Sequence, residues 1–579
     1  MTNSHRTAAA DRAKTLDHLW SIQQANGFIA DGFVKECAAE LGISQIELEG
    51  IISFYHFFHR QPTGEFVIYL NNSIVSECQG FQRVKEAFER ETGNTFGKPD
   101  PSGKFALLET ACIGLSDQEP AALINFHPFT NLNTLKVKRI IAELKKGTPV
   151  ESISDEVLDH IRFVPEGDKG ILLRDYQPGL AVWKLPNLGR EGVIEELKKS
   201  KLRGMGGAYF PTGLKWEFCK KQPATPKYIV CNADEGEPGT FKDRVLLNKL
   251  PGLLLEGMIA AAYAVGAGEG IVYLRAEYRW LLNRLENTIT DFRKRGLLGK
   301  NVAGIAGFDF DIRIQLGAGA YVCGEETALL NSMEGKRGEP RAKVFFPTEK
   351  GFLDKPTVIN NVETFCAAAR IIGLGADHYL KTGTPQSPGT KLLSISGDCH
   401  RPGIYEVEWG TKVADILEMC GADDAYYVQV SGPSGECVSA KEFGRSIALD
   451  DLQCGGSFMI FNSKRDVLNI LRNFTDFFKQ ESCGVCTPCR AGNFIIQRKL
   501  DKIANGLAYS SDYKEVKQWG NVMAMTSRCG LGKMATRSLL MALDKFPDYF
   551  ASKVDPLGEG LNKKFDMEKA LQPYEQFGD

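Results

Sequence analysis

Hydrophobic side chains recur at helical spacing through the first 62 residues. Residues three and four positions apart lie on one face of a helix, so a run of such spacings predicts helices that pack through that face. The positions that show this spacing are Leu16, Leu19, Trp20, Ile46, Ile51 and Phe54. We therefore predict a small helical bundle for residues 1–62.

The pattern then changes to short β-rich runs. FVIYL at 66–70 and FALLE at 105–109 have the composition of buried strands, and the polar VKEAFERETG between them is typical of a helix. Residues 63–147 are therefore expected to form a small α/β domain. Residues 148–195 are rich in charge, Pro and Gly, which indicates a linker between domains.

The remaining chain divides into three further regions. Residues 196–385 alternate Gly-rich turns, β-rich runs (YIVCNAD, GIVYLRAE, FDIRIQ) and helical stretches, which predicts a layered α/β domain. Residues 386–462 contain short strands and one helix near 413–419, which predicts a small α+β module. From 463 to 579 the helical spacing returns and indicates a C-terminal helical bundle.

The longest apolar stretch, at 252–274, is interrupted by Glu256 and Glu269. A membrane-spanning helix needs about 20 residues with almost no charge. We therefore expect a buried helix followed by a strand, and no membrane span.

Composition supports a globular chain of several domains. The 579 residues correspond to about four domains, and 43% hydrophobic with 25% charged residues is not the composition of a disordered protein. Lys and Arg number 70 against 72 Asp and Glu, a net charge of −2, which gives no global attraction to nucleic acid or anionic membrane. The polar N-terminal sequence has no apolar signal segment, which predicts a cytoplasmic protein.

Four cysteines form the most specific chemical pattern in the chain. Cys483, Cys486 and Cys489 follow C-x2-C-x2-C spacing in ESCGVCTPCR, and Cys529 follows forty residues later in SRCGLGK. Three closely spaced thiolates can bind one side of a four-iron cluster while a distant fourth completes it. The pattern therefore predicts a 4Fe-4S site.

A structural zinc site is the alternative for these four thiols. Zinc ribbons commonly use two separate C-x2-C pairs, and one triplet with a single distant cysteine fits that arrangement poorly. The other cysteines among the 15, Cys231 and Cys323 included, are expected to be small buried hydrophobic residues.

A glycine-rich loop is the second candidate site. In LRGMGGAYFPTGLKW, at 202–216, Gly204, Gly206 and Gly207 allow the backbone to approach a bound group closely, and Lys215 supplies a positive charge. The spacing is neither a Rossmann fingerprint nor a P-loop, so a simple tight turn remains the alternative.

Acidic and amide side chains occur in three motifs, each placed at the end of a predicted strand or at the start of a predicted helix. Carboxylates at such places accept hydrogen bonds from ribose hydroxyls or ring N–H groups, although solvated turns and helix caps are the plainer interpretation of each motif alone. The residues concerned are Asn232, Asp234, Glu235 and Glu237 in NADEGEPGTFKDR, Gly317, Gly319, Gly324, Glu325 and Glu326 in GAGAYVCGEETALL, and Asn360 and Asn361 in PTVINNVET.

Taken together and in this order, these motifs closely resemble the flavin-bearing, NADH-oxidising subunit found in respiratory complex I, in NAD-reducing hydrogenases and in NAD-dependent formate dehydrogenases. The resemblance covers about 200 to 550. Residues 1 to about 150 resemble the thioredoxin-like two-iron subunit of complex I, here fused in front. This fusion is most similar to the diaphorase subunits of bidirectional NAD-reducing nickel–iron hydrogenases.

The resemblance implies a multidomain α/β fold. Its expected parts are an N-terminal helical bundle, a thioredoxin-like domain, a central α/β FMN-binding domain, a small β-grasp-like module and a C-terminal helical bundle that holds the iron–sulfur cluster. The implied cofactors are FMN, NAD(H) and a 4Fe-4S cluster.

The resemblance also implies roles for individual residues. FMN would be bound by Gly204, Gly206, Gly207, Ala208, Lys215, Asn232, Asp234, Glu235, Gly324, Glu325, Asn360 and Asn361. NADH would stack on Phe210 and Phe218, with Glu237, Tyr321, Glu326 and Phe346 around its ribose and nicotinamide. No side chain is expected to act as acid or base, because the hydride passes directly to FMN.

Two parts of the sequence depart from the family pattern. Met205 stands where Arg is common and Tyr209 where Gly is common. In the N-terminal domain, three of the four expected two-iron ligand positions are Asn71, Ser76 and Ser116, which leaves Cys112 alone. Cys78 lies two residues beyond an expected position. We predict that this domain binds no two-iron cluster.

The function predicted from the sequence is a diaphorase that moves electrons between NAD(H), FMN and a 4Fe-4S cluster. The expected partners are an iron–sulfur subunit and hydrogenase subunits. NADH-input subunits of complex I or of formate dehydrogenase share the same motifs and remain alternatives. A zinc-stabilised assembly scaffold is the alternative from a different class.

Overall fold

The computed structural model describes residues 12–554. Its first unit contains three helices, α1 (Thr15–Asn26), α2 (Asp31–Leu41) and α3 (Gln45–Ile52). Five of the six residues expected on the shared face are buried or partly buried. The exception is Ile46, which is 86% exposed because α3 buries the face that carries Leu48, Ile51 and Ile52. The part of the predicted bundle before residue 12 lies outside the described residues.

The second unit is a four-stranded sheet with helices. Its strands are β1 (Phe66–Asn71), β2 (Phe105–Thr110), β3 (Ala122–Ile124) and β4 (His127–Phe129), in the order β2-β1-β3-β4. β1 and β2 are parallel, and β3 is antiparallel to both of its neighbours. Helices α4 (Ile74–Cys78), α5 (Phe81–Thr92) and α6 (Thr134–Lys145) complete the unit, followed by the short α7 (Val150–Ile153). Both predicted strands and the predicted helix between them are present.

The segment at 148–195 is more ordered than the expected linker. It contains β5 (Ile161–Phe163) and most of α8 (Leu180–Lys199), so the expected boundary at 195 falls inside a helix. Pro186 and Gly189 interrupt the apolar periodicity of α8, and Gly189 has non-helical backbone angles there. This interruption is the physical reason why the sequence resembles a linker.

The central unit is built on a fully parallel sheet. Its strands are β6 (Tyr228–Ala233), β7 (Glu269–Leu274), β8 (Asp311–Leu316) and β9 (Thr357–Asn361), in the order β8-β7-β6-β9. The chain runs outward from β6 through β7 to β8 and then returns to the other side of β6. The switch in topology therefore lies between β6 and β9, where ligands commonly bind at the carboxyl ends of strands.

Helices cover the central sheet. They are α9 (Thr212–Lys221), α10 (Lys242–Lys249), α11 (Pro251–Val265), α12 (Leu282–Lys294), α13 (Glu326–Met333), α14 (Pro347–Lys350), α15 (Val362–Leu374) and α16 (Ala376–Tyr379). Every residue of α11 is buried, and β7 follows it, as the sequence predicts for 252–274. Within residues 12–554 no single helix has the length and apolar composition of a membrane span, although the sharply bent pair α10 and α11 meets both criteria together.

The small module is a mixed sheet. Strands β10 (Thr390–Gly397), β11 (Gly403–Glu408), β12 (Ala425–Val430), β13 (Glu436–Ser439) and β14 (Ser457–Asn462) are arranged in the order β13-β12-β14-β10-β11, with helix α17 (Val413–Cys420) connecting β11 to β12. β10 and β14 are adjacent parallel strands inside the sheet, and β10 is antiparallel to β11, which is the β-grasp arrangement. β5 adds a sixth strand beside β11.

The C-terminal unit is helical. It contains α18 (Val467–Glu481), α19 (Thr487–Ala504), α20 (Ser510–Thr526), α21 (Gly530–Met534), α22 (Arg537–Lys545) and α23 (Pro547–Ala551). The predicted apolar positions of α18, such as Ile470, Phe474 and Phe478, are buried. The expected bundle continues to 579, and its part beyond residue 554 lies outside the described residues.

Candidate functional site

The glycine-rich loop lies against the carboxyl end of β9. Gly204 N–H donates to the Phe210 carbonyl at 2.9 Å, which closes the loop. A Cβ on Gly206 would come within 3.1 Å of Asn361 Cβ, and Gly207 has φ +101° with open space beside it. Gly206, Gly207 and Ala208 are exposed. The loop therefore presents bare backbone to the crevice at the switch between β6 and β9.

Met205 and Tyr209, the two departures from the family pattern, point into the protein. Both side chains are buried, and Met205 N–H donates to Thr364 Oγ1 at 2.8 Å. Tyr209 has φ +51°, which is uncommon for a residue with a bulky side chain, and burial raises the pKa of its phenol well above the usual value. These substitutions change the packing beneath the loop.

Lys215 extends from α9 toward the ends of the same strands. Its Nζ donates to the Ile359 carbonyl at 2.9 Å and lies 3.8 Å from the Glu326 carboxylate. Burial lowers the pKa of this lysine. Beside it, Trp216 Nε1 donates to Asn360 Oδ1 at 3.0 Å. The cation is thus buried next to an open crevice with one carboxylate at long range.

Asn232, the penultimate residue of β6, and Asp234, the first residue after it, lie at the carboxyl end of that strand. Asn232 Nδ2 donates to the Gly324 carbonyl at 2.8 Å, which joins the ends of β6 and of the loop after β8. Asp234 is 5% exposed, and its Oδ2 has no hydrogen-bond partner. A Cβ on Gly324 would lie 3.3 Å from that oxygen. A buried carboxylate oxygen without a hydrogen-bond partner indicates a position that contacts a ligand, and the glycine at 324 leaves space beside this oxygen.

Three predicted residues cap helices. The Glu235 carboxylate accepts from the N–H groups of Asp243 and Arg244, at 2.7 and 3.0 Å, at the start of α10. Glu325 Oε2 accepts from two N–H groups of α13, and Asn361 Oδ1 accepts from Glu363 N–H in α15. Burial raises the pKa of Glu235 to about 7. The structure brings these residues to the crevice but engages their side chains with helix N-termini.

Glu237 and Tyr321 form a direct pair at the edge of the crevice. Tyr321 OH donates to Glu237 Oε2 at 2.5 Å, and Ser434 N–H donates to Oε1 at 2.9 Å. Burial raises the pKa of Glu237 to about 7. Ser434 belongs to the turn between β12 and β13, so the small module completes this part of the site. The sequence contains no motif that indicates Ser434.

The predicted aromatic residues are unusually exposed. The Phe210 and Phe218 rings have centroids 6.3 Å apart and are 42% and 44% exposed, and Phe346, at the start of α14, is 70% exposed. Large apolar side chains on a surface are available for stacking by a planar ligand.

The four cysteines converge at helix starts in the C-terminal unit. Cys483 follows α18, Cys486 and Cys489 open α19, and Cys529 precedes α21. Cys489 interacts electrostatically with the other three thiols. Cys483 accepts a backbone hydrogen bond from Val485, and Cys529 accepts two. Such donors stabilise thiolate sulfur, so the pocket fits a cluster held by four thiolates.

A zinc ion is the alternative occupant of these four thiols. It would hold all four sulfurs about 2.3 Å from one centre. Within the described part of the chain, no three His, Cys, Asp or Glu side chains come together closely enough for a single metal ion.

In the thioredoxin-like unit, a buried carboxyl group lies where the two-iron ligands are expected. Asn71 Nδ2 donates to Glu119 Oε1, and Ser76 Oγ faces the same carboxyl. Cys112 Sγ lies 3.5 Å from Ser116 Oγ and interacts electrostatically with Glu119. Burial raises the pKa of Glu119 well above its usual value. The four expected ligand positions thus converge, with a carboxyl group among them.

Cys78 lies outside this group. Its charged neighbours are Arg465 and Asp398, and it packs against the C-terminal apolar core. Cys231 and Cys323 are buried, as expected for structural thiols.

Comparison with known families locates three regions in the chain. Residues 197–370 match the Nuo51 FMN-binding domain, and residues 469–553 match the iron–sulfur binding region of NADH-ubiquinone oxidoreductase-F. Residues 2–145 match the thioredoxin-like [2Fe-2S] ferredoxin family.

The NAD-reducing hydrogenase HoxS subunit alpha of Cupriavidus necator is 48% identical over 581 residues, which span 98% of this chain and 96% of the relative. The chain belongs to the family of NAD-reducing hydrogenase alpha subunits. A solved NAD+-reducing [NiFe]-hydrogenase in the H2-reduced state has a chain with 35% identity and a TM-score of 0.89, with 96% of each chain covered. An NADH-quinone oxidoreductase subunit of Aquifex aeolicus is 40% identical over 64% of this chain and 87% of its own length.

Membership of this family confirms the expected fold class and the prediction of an NAD-dependent oxidoreductase. The matched regions confirm FMN and the 4Fe-4S cluster as its cofactors. The family match to a two-iron ferredoxin covers the N-terminal fold. Whether that domain binds a cluster stays a prediction.

Proposed function

We propose that this chain is the diaphorase subunit of an NAD-reducing hydrogenase and that it exchanges a hydride between NAD(H) and FMN. The whole assembly would catalyse H2 + NAD+ to NADH + H+. The observation that carries the proposal is the crevice between β6 and β9, where the glycine loop, Lys215 and the unpartnered Asp234 carboxylate meet. Bound FMN supplies the chemistry that links a two-electron hydride to single-electron transfer.

The FMN site is proposed to use two kinds of residue. Gly206, Gly207 and Ala208 present backbone, while Lys215 presents its ammonium group and Asp234 its unpartnered Oδ2. Glu235, Glu325 and Asn361 hold the ends of three helices in place, so their contribution is to position the loops. The remaining members of the proposed set are Gly204, Asn232, Gly324 and Asn360.

NADH is proposed to enter beside the exposed aromatic residues. Phe210 and Phe218 would stack on its planar rings, and Phe346 would cover it from α14. Glu237, Tyr321 and Glu326 would accept or donate hydrogen bonds at the ribose and the nicotinamide. Carboxylates here repel a 2′-phosphate, which favours NADH over NADPH.

Electrons are proposed to leave through Cys483, Cys486, Cys489 and Cys529. Cys486 is the most exposed of the four. The surface close to Cys529 carries Val522 and Met525, which are 45% and 82% exposed on one face of α20. An exposed apolar surface next to a redox site suits a partner iron–sulfur subunit.

The hydrogenase assignment rests on the fused N-terminal unit. The Cupriavidus relative, named as a hydrogenase subunit alpha, matches the chain over almost its whole length. The quinone-linked relative from Aquifex matches 64% of the chain. The complex I alternative therefore accounts for less of this sequence.

The proposal is tested on the full chain loaded with FMN. Under anaerobic conditions, excess NADH should bleach the flavin absorption. Phe210→Ala and Glu237→Gln should raise the NADH concentration needed while FMN stays bound. Phe494→Ala replaces an equally exposed ring in the C-terminal bundle and should change neither property. A flavin-loaded protein that NADH does not bleach would contradict the proposal.

A further inference from the structure

A small cavity lies behind the Asp234 side of the flavin crevice. Its volume of about 20 Å³ is enough for one ordered water molecule, which needs about 10–15 Å³. Glu277 and Arg275 line it from the loop after β7, His56 from the N-terminal unit, and Cys112 from the thioredoxin-like unit. The cavity thus joins the flavin crevice to both N-terminal units.

Three polar atoms that face this cavity have no partner in the described structure. They are Asp234 Oδ2, Glu277 Oε2 and Arg275 Nε, all on side chains that are more than nine-tenths buried. The other Glu277 oxygen accepts from Arg275 Nη2 at 2.7 Å, which fixes the orientation of the carboxylate. A water molecule needs two to four polar partners, and these atoms supply three.

The two carboxyl groups, Asp234 and Glu277, have different charged neighbours. Arg275 and Glu481 act on Asp234, and His56 interacts with Glu277. Cys323 and Tyr321 also border Asp234. Burial, assisted by Glu277 and Glu481, raises the pKa of Asp234 well above its usual value. Glu481 itself is engaged with Tyr321 N–H at 2.9 Å and is not part of the pair.

The reaction requires a proton to cross this region. Oxidation of NADH to NAD+ releases two electrons and one proton in total. The hydride carries all three into the site, the electrons leave singly through the thiolate-bound cluster, and the proton must leave by another route. In the direction of NAD+ reduction the same proton must enter.

We propose that Asp234 Oδ2, Glu277 Oε2 and a water molecule held between them form the proton route of the hydride site. Asp234 is the end that borders the flavin crevice, through the gap left by Gly324. Glu277 is the far end, beside His56 and the thioredoxin-like unit, and it passes the proton to solvent through the partly open cavity, or takes it up there in NAD+ reduction. This inference rests on the proposed function, and it gives a route to the proton that NADH oxidation releases.

The first test compares two Glu→Gln substitutions in the FMN-loaded full chain. Glu277→Gln removes the far carboxylate, and Glu286→Gln, on the exposed side of α12, is the matched control. Both variants should be bleached by NADH like the wild type, which tests the proposed function separately. Reoxidation of the reduced Glu277→Gln protein by a one-electron acceptor should be at least about tenfold slower, since proton transfer by a placed group contributes about 100-fold or more.

The second test needs no cofactor. The infrared carbonyl band of a protonated carboxyl is followed in the FMN-free chain as the pH is raised. Glu277→Gln removes a charge that raises the pKa of Asp234, so the band should disappear at lower pH than in the wild type and in Glu286→Gln. An unchanged band titration, or reoxidation at the wild-type rate, would overturn the proposal.

A third measurement covers the case in which Glu277→Gln fails to fold. Glu277→Asp keeps the carboxylate and should restore most of the reoxidation rate. The wild-type protein itself should be reoxidised more slowly in D2O than in H2O. Equal rates in the two solvents would overturn the proton route without any variant.

Discussion

The two cysteine sites of this chain show how fold and cofactor chemistry separate. In the C-terminal unit four thiols converge at helix starts, with backbone N–H groups donating to sulfur. In the thioredoxin-like unit four side chains also converge, but they are Asn71, Ser76, Cys112 and Ser116 around the Glu119 carboxyl. The thioredoxin-like fold is therefore present with oxygen or nitrogen at three of the four ligand positions that the resemblance implies.

The difference has a simple physical origin. Iron–sulfur clusters are bound by thiolates, whereas amide and hydroxyl groups are poor ligands for such iron. A pocket that loses its cluster must still satisfy its polar groups, because unpaired buried groups cost about 1–3 kcal/mol each. Glu119 accepts from Asn71 and from Ala121 N–H, which meets part of this need, while Glu119 Oε2 and Ser76 Oγ have no partner in the described structure.

The largest expected effect comes from removing one thiol at each site. Cys529→Ser should lose the 4Fe-4S cluster and stop electron transfer to the partner, while NADH still bleaches the flavin. Cys112→Ser should leave the iron content unchanged. Iron and acid-labile sulfide analysis of both variants measures this directly. Loss of iron from Cys112→Ser would show that the thioredoxin-like unit binds a cluster.

The difference between the two sites is tested by placing cysteines at the three positions of the thioredoxin-like unit that lack them. Asn71→Cys, Ser76→Cys and Ser116→Cys together recreate four cysteines around Cys112. We expect no two-iron cluster from this variant while Glu119 occupies the pocket, and uptake once Glu119→Ala is added. Anaerobic reconstitution followed by EPR of the reduced protein distinguishes the two. A two-iron signal with Glu119 still present would contradict the role given to that carboxyl.

The Glu119 carboxyl also predicts a pH dependence. Its pKa is raised in the folded state above the usual 4.5, so the native protein keeps a proton that the unfolded chain loses. Stability of this unit should therefore be complete below about pH 4.5 and fall as the pH rises above it. Glu119→Gln should flatten this dependence, by about 1–3 kcal/mol at most. Hydrogen exchange of β1 and β3 across this range measures it, and parallel curves for both proteins would contradict it.

The smallest effect concerns the surface beside the C-terminal site. Met525→Asp places a charge on the exposed apolar face of α20 and should weaken partner binding about tenfold, or about 1.4 kcal/mol. Leu135→Asp, on the exposed face of α6 in the N-terminal unit, is the control and should have no effect on this contact. Binding titrations with the partner iron–sulfur subunit compare them. Equal affinities would place the interface elsewhere.

Regular elements and local motifs could be predicted from the sequence, and long-range partners could not. The predicted strands YIVCNAD and FDIRIQ are β6 and β8, because the first contains a buried run of apolar residues and the second alternates apolar with polar or charged residues. By contrast, Glu119 and Glu277 lie in no motif. Their importance comes from partners far away in the chain, which spacing along the sequence does not encode.

Helix caps show a second limit of sequence reasoning. The acidic motifs at Glu235 and Glu325 look the same as ligand-binding carboxylates, and the sequence leaves both interpretations open. The structure engages both groups with helix N-termini. Ile46 shows the same limit for packing, since its helical spacing is correct but its face of α3 is exposed.

The segment at 148–195 determines where this protein can be divided. Glu406 in β11 accepts from the N–H groups of Ile171, Leu172 and Leu173 at 2.7 to 2.8 Å, and β5 completes the edge of the same sheet. A two-fragment version cut near residue 147 keeps these contacts within the second fragment. A cut near 195 places these three backbone donors in the other fragment and leaves the buried Glu406 carboxylate with Thr390 Oγ1 as a donor, so we expect the first break to give fragments that reassemble more readily.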